Sequence, residues 1–372
     1  MRQTDEVPTD NLDVTTIQIA PATAAQTEYE AALTYYDQWI QLQPDSYDAW
    51  SEKGNWLLGQ GQYGEAIICF DQAIALNQMI PLTHYSRGWA AYMLGWYDAA
   101  IVSYQNVLYL DPGFPNACYS LGLAFYVKHQ YQQAIPPLQQ AVEQQPDFVD
   151  AWYCLASALY ATERYESAIK HFNHALELHS DYQEAYSGRG AALMALRDYE
   201  AAIVSFDKSL SLRSDDAETW YKWASCMKRL GRHEAAIVGY DKTLVLQPNH
   251  WEAWYNCGSC LMKLGNYDQA IASFDQALQR QPDHYESWFN RGVALRHSGK
   301  LTEAVNSYDK AIALRPDDYK AWTNRGNVLF SLDRLQEAVA SYDRVLELNP
   351  DDERAKQSLA MAIKRLSSKQ GK

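Results

Sequence analysis

Cysteine is scarce in this chain, with six thiols in 372 residues. Cys69, Cys118, Cys154, Cys226, Cys257 and Cys260 are too few for a disulfide framework of this length, which points to a reducing, cytoplasmic compartment. No apolar run reaches membrane-spanning length, and the opening residues MRQTDEVPTDNLDVTT carry acids where a signal peptide has its apolar segment. The expectation is a soluble protein with no direct membrane insertion. Glycine and proline number only 18 and 13, so no long flexible linker divides the chain. Basic residues are outnumbered, 32 against 46 acids, and the resulting net charge of −14 opposes nucleic-acid phosphates. There is no GxxxxGK followed by Ser or Thr, no GxSxG and no HExxH, and no alternating strand pattern to carry such motifs. An enzyme, a cofactor and a metal centre are therefore not expected.

What the chain does have is a period. Pro44, Pro112, Pro146, Pro248, Pro282, Pro316 and Pro350 fall on one 34-residue grid, with Gln78, Ser180 and Ser214 at the same phase. Counting each unit from three residues after that position gives 47–80, 81–114, 115–148, 149–182, 183–216, 217–250, 251–284, 285–318 and 319–352. Position 4 is mostly aromatic, as in Trp50, Trp152, Trp220, Trp254, Trp288 and Trp322; position 8 is Gly or Ala; position 20 is Ala throughout, from Ala66 to Ala338. Position 24 is aromatic except for Leu138. On a helix, positions 4, 7, 8 and 11 share one face, and 20, 24 and 27 share a face of a second helix. Bulky residues opposite small ones let the two helices approach closely. Each unit then reads as a helical hairpin too small to bury its own core and stabilised by its neighbours. The fold class is all-α, an α-solenoid of hairpins.

This pattern resembles the tetratricopeptide repeat (TPR) over residues 47–352, and phrases such as NRGVAL and SYDKAIALRPDDYKAW are similar to bacterial, especially cyanobacterial, repeats. The resemblance implies a right-handed superhelix and a non-enzymatic protein-interaction scaffold. Residues 1–24 read as a disordered tail, 25–46 as an N-terminal capping helix, and 353–372 as a C-terminal capping helix and tail, with the last six residues disordered. Pro136 and Pro137 fall inside the second helix of the third unit, so that helix is expected to start late or kink.

The resemblance also implies that the first helices line a concave groove, with positions 2, 5, 6, 9, 12 and 13 facing it. Carried over, these positions give an aromatic stretch of Tyr85, Trp89, Tyr92, Met93, Tyr119, Tyr126, Tyr153 and Tyr160. A polar stretch follows, with Lys228, Arg229, Lys263, Arg296 and His297. Acids hold position 2 at Asp150, Glu184, Glu218, Glu252 and Glu286. The helix dipole favours acids at N-termini and bases at C-termini without any ligand, yet two opposed rows would also orient an extended peptide. Asn256, Asn290 and Asn324 share position 6 in consecutive units. An amide offers a donor and an acceptor together, so this column could grip a peptide backbone. The set that clamps a chaperone-tail carboxylate in this family occurs in no three consecutive units.

Cys257 and Cys260 have the spacing of a ligand or redox pair, but they sit where small buried hydrophobes belong. His171 and His174 are spaced to share a metal on a helix, but with no third ligand they read as a solvated outer face. The function expected is a scaffold or adaptor that holds an extended or helical segment of another protein. A self-associating homodimer and an assembly factor for a larger complex, membrane-bound ones included, stand as alternatives.

Overall fold

The computed structural model describes residues 24–370. The tail expected over 1–24 lies, but for Ala24, outside them. The described residues form helices and turns only, arranged as two compact units that meet in sequence at Gln145 and Pro146.

The first unit opens on the lone helix α1 (Ala24–Leu42). Three hairpins follow: α2 (Tyr47–Gly59) with α3 (Tyr63–Leu76), α4 (Pro81–Met93) with α5 (Tyr97–Leu110), and α6 (Ala117–Val127) with α7 (Tyr131–Gln144). The second unit pairs α8 (Val149–Ala161) with α9 (Tyr165–Leu178), α10 (Gln183–Ala195) with α11 (Tyr199–Leu212), and α12 (Ala217–Arg229) with α13 (His233–Leu246). It continues with α14 (Trp251–Lys263) and α15 (Tyr267–Arg280), α16 (Tyr285–His297) and α17 (Leu301–Leu314), then α18 (Tyr319–Ser331) and α19 (Leu335–Leu348). A last helix, α20 (Glu353–Gln370), packs on α19.

The turn inside each hairpin is a left-handed cap. Gly265 (φ 81°) donates its N–H to Met262 and the next N–H, of Asn266, bonds to Leu261 at 2.9 Å. His129, Glu163, Arg197 and Asp333 hold the same left-handed geometry without glycine, at a steric cost. Between hairpins the tryptophan at position 4 has a second duty. The Trp288 indole N–H donates to the Pro282 carbonyl at 2.8 Å, and Trp50, Trp152, Trp220, Trp254 and Trp322 repeat that bond six residues back. A carbonyl freed at the end of one hairpin is thus satisfied by the next.

The core follows from size alternation. The alanines at position 20, from Ala66 to Ala338, are completely buried. Across from them the ring at position 24 lies on the glycine at position 8: a Cβ added to Gly190 would sit 2.6 Å from Phe206. Position 7 ties successive hairpins together, as Arg291 reaches Asp275 (2.6 Å) in the preceding hairpin and Ser307 (2.7 Å) in its own.

A late start of α7 and disorder over the described part of the last six residues are both corrected. Helix α7 does not start late; it begins at Tyr131, the register of its counterparts, and Pro136 and Pro137 lie inside it. Burial of Ala134, Ile135, Leu138, Ala141 and Val142 outweighs the two missing N–H donors. The C-terminal helix continues to Gln370, through residues expected to be disordered, because Arg365 (3.0 Å) and Lys369 both pair with Asp333.

Candidate protein-interaction site

First helices follow one another in the second unit, α10 touching α12, α12 touching α14, and α14 touching α16. Position 5 of one therefore meets position 6 of the next, 35 residues on. Asn256 donates from Nδ2 to the Tyr221 hydroxyl (3.0 Å), and Asn290 to that of Tyr255 (3.3 Å). Asn256 also accepts from Lys228 Nζ at 2.7 Å, and that ammonium lies 5.7 Å from the centre of the Tyr255 ring. In the first unit Tyr85 and Ser120 make the same kind of link at 3.2 Å. Phe289 stands at position 5 before Asn324 and has no hydroxyl, so the series of bonds stops there.

Tyr221, Lys228, Tyr255, Asn256 and Asn290 border a cavity of about 990 Å³. Its wall brings together Lys228, Arg229, Asn256, Lys263 and Asn290, all singled out in the sequence, and leaves out Arg296 and Asn324. It adds Tyr221, Tyr255, Ser225 and Ser259 at positions 5 and 9, and Arg197 and His233, which the sequence reading passed over. The signal for the tyrosines and serines was their groove-facing position; Arg197 and His233 lie in or beyond the hairpin turn and offered none. Burial raises the Tyr221 and Tyr255 phenols, which stay protonated at neutral pH. Burial, reinforced by Arg229, lowers Lys228.

The acids at position 2 are individually occupied. Asp150 accepts from the Tyr182 hydroxyl (3.1 Å), Glu184 meets Arg213 (3.3 Å), Glu218 meets Lys222 (3.3 Å), Glu252 meets His250 (3.1 Å) and Glu286 meets Arg315 (2.8 Å). They form no free row opposite the cations.

The aromatic residues are divided between the two units. Tyr85 packs on Tyr104 and Phe114, Tyr92 on Tyr97, Tyr126 on Tyr131, Tyr160 on Tyr165, and Tyr153 on Phe172 and Tyr182. Tyr119 is partly buried and also engaged. Trp89 differs, being 48% exposed, with Leu82 (55%), Met93 (47%) and Trp96 (54%) exposed beside it in sequence. Leu82, Trp89 and Met93, at spacings of seven and four residues, follow one stripe of α4, and Trp96 lies past its end, beyond the left-handed Gly95.

All six cysteines are buried and none forms a disulfide. Burial pushes Cys226 and Cys257 up to about 12, so neither is a thiolate at neutral pH. His171 and His174 pack on Trp152, with ring centroids at 5.3 and 4.3 Å, where a solvated face was expected. Among the described residues no cluster of His, Cys, Asp or Glu is arranged to hold a metal, and no helix is long and apolar enough to cross a membrane.

Sequence models of the tetratricopeptide repeat match residues 119–182, 155–217, 258–318 and 298–353, and further models of that repeat match 47–78 and 83–114. A model of anaphase-promoting complex, cyclosome, subunit 3 matches 195–277. No curated protein sequence matches the chain. Among solved structures, the C-terminal part of a TPR repeat-containing protein from Cytophaga hutchinsonii superposes with a TM-score of 0.56 at 17% identity, over 64% of this chain and 98% of that one. YrrB, described as a TPR protein with an unusual peptide-binding site, gives 0.47 at 26% identity over 50% and 95%. MamA from Desulfovibrio magneticus RS-1 gives 0.44 at 22% over 46% and 97%.

Proposed function

Because the chain belongs to the tetratricopeptide repeat family, we propose that it is an adaptor holding a segment of a partner protein along the first helices of its second unit. Proteins of this family are generally interaction scaffolds that bind other proteins or peptides, and they are typically not enzymes. The observation that carries the reading is the cavity bordered by α12, α14 and α16. At about 990 Å³, it lies at the upper end of the roughly 300–1,000 Å³ usual for ligand sites. Its tyrosine rings give broad contact at low entropic cost, and its serines and amides give hydrogen bonds. The Tyr221–Asn256–Lys228 bonds hold those groups in place before a partner arrives, which lowers the cost of binding. Asn256 has both ends of its amide engaged, so the grip on a backbone passes to the Asn290 carbonyl and to Ser225 and Ser259 in the cavity wall.

A photo-crosslinking residue tests this directly. Placed at Met262 in the cavity wall, it should link to one recurring peptide of one partner; placed at Val245, exposed on α13, it should not. Equal crosslinking at both positions would remove the cavity from consideration. The exposed stripe on α4 favours a second reading, in which Trp89 anchors either a partner or another copy of the chain. Light scattering on Trp89→Ala separates the two: loss of a dimer identifies self-association.

A further inference from the structure

We propose that the cavity selects an acidic segment, an extended stretch of a partner rich in Asp and Glu. This rests on the reading of the cavity as the partner's seat. Four cations converge on it, Arg197, Lys228, Arg229 and Lys263, and no carboxylate lines it. None of the four pairs with a carboxylate among the described residues. What sets the cavity apart is that all four stand on one wall, in a chain with 46 acids against 32 bases. Near the ends of two other first helices a cation does have an acid beside it: Lys128 meets Asp98, and Lys300 meets Asp268 at 2.8 Å. The helix dipole draws cations to such ends. It does not by itself gather four of them on one cavity wall with no carboxylate among them.

The chemistry favours a carboxylate-bearing chain over other anions. A net charge of −14 repels a polyphosphate backbone at long range, whereas a short acidic segment engages the local positive field. Lys228 is fixed by Asn256 and Tyr255, so it presents a positioned charge to an incoming carboxylate. Arg197, Arg229 and Lys263 are exposed at the margin, where they steer and tolerate variation in spacing. The Tyr221 and Tyr255 rings supply the apolar wall against which the intervening residues lie.

The test uses the full chain and a fluorescein-labelled peptide alternating Glu with Ser, compared with the same peptide carrying Gln for Glu. The Glu peptide should bind about tenfold tighter at low salt, and the preference should collapse as salt screens the charges. Arg197→Gln, Arg229→Gln and Lys263→Gln combined, all at exposed positions, should keep the circular dichroism unchanged and abolish the preference. Equal binding of the Glu and Gln peptides overturns the inference. So does tighter binding of a phosphoserine peptide or of oligouridylate. Ser259→Trp, which fills the cavity, separates this failure from that of the seat itself. If it removes binding of both peptides equally, the seat stands and acid selection falls. If it leaves Glu-peptide binding intact, both fall.

Discussion

The same substitution, glycine to alanine, should act with opposite sign at two residues of this chain. At Gly190 the new methyl would lie 2.6 Å from the fully buried Phe206 ring, which has no room to retreat. Overpacking of this kind costs about 1–3 kcal/mol and outweighs the better helix propensity of alanine. At Gly64, in the first turn of α3, nothing lies within 4 Å of the added carbon. Gly64→Ala should therefore stabilise by about 0.5–1 kcal/mol, and urea titration of the two variants checks both signs. The small residue at position 8 was legible because the sequence repeats it opposite a recurring ring. The occupation of Asn256 was not, since a 34-residue grid aligns like with like, while its partner Tyr221 lies 35 residues back. Only the placement of α12 beside α14 brings those two positions together.

Helix α7 shows what a local rule leaves out. Residues Pro136 and Pro137 bring no N–H to the helical ladder, yet the helix keeps its register because its buried face packs as in the other hairpins. Pro136 is exposed and contributes little packing. Pro136→Ala should thus stabilise the first unit by at least about 1 kcal/mol, seen as slower amide exchange in α7; faster exchange would mean the ring is needed. Helix α12 offers the complementary case of a start signal that the structure uses. Asp216 caps it, accepting from the Thr219 N–H at 3.1 Å and from the Thr219 hydroxyl at 2.6 Å. Burial pushes this carboxyl up, but the hydrogen bonds from Thr219 and Gln183 and the nearby Arg213 prevail and hold it below its ordinary value. A depressed carboxyl stabilises above its unfolded pKa and loses that contribution as pH falls through the folded one. Asp216→Ala should cost about 1–2 kcal/mol at neutral pH, a penalty that shrinks below about pH 4. Helix periods were readable from residue types, and an Asp three residues before a Thr at a helix start carries the cap signal that the period alone does not mark. The extension of α20 to Gln370 was not, because it depends on Asp333 in the turn of another hairpin.

At the scale of the molecule, the period governs how stability is distributed. Within each unit, every pair of described helices in contact consists of neighbours or next neighbours in sequence. Among the described residues of a unit no element bridges distant repeats, so its free energy is a sum of hairpin terms and interfaces between adjacent hairpins. The sequence disclosed this arrangement because each repeat carries the same small and large positions. It could not disclose which stretch of the array would be left without counter-ions, since that depends on side chains from three successive repeats converging. A perturbation placed inside one repeat should then stay local. Ala236 is completely buried in the second unit, within the cluster that includes Phe206, Ala224 and Tyr240. Ala236→Leu inserts three carbons where none fit and should cost about 1–3 kcal/mol. In a globally cooperative domain that loss would lower amide protection everywhere by the same factor. In a neighbour-coupled array the loss concentrates where the repeat is strained. Hydrogen exchange on the Ala236→Leu variant should accelerate in α12 to α15 and leave α18 to α20 close to wild type. Uniform acceleration across the second unit would mean that its hairpins fold as one body, and the additive description would fail.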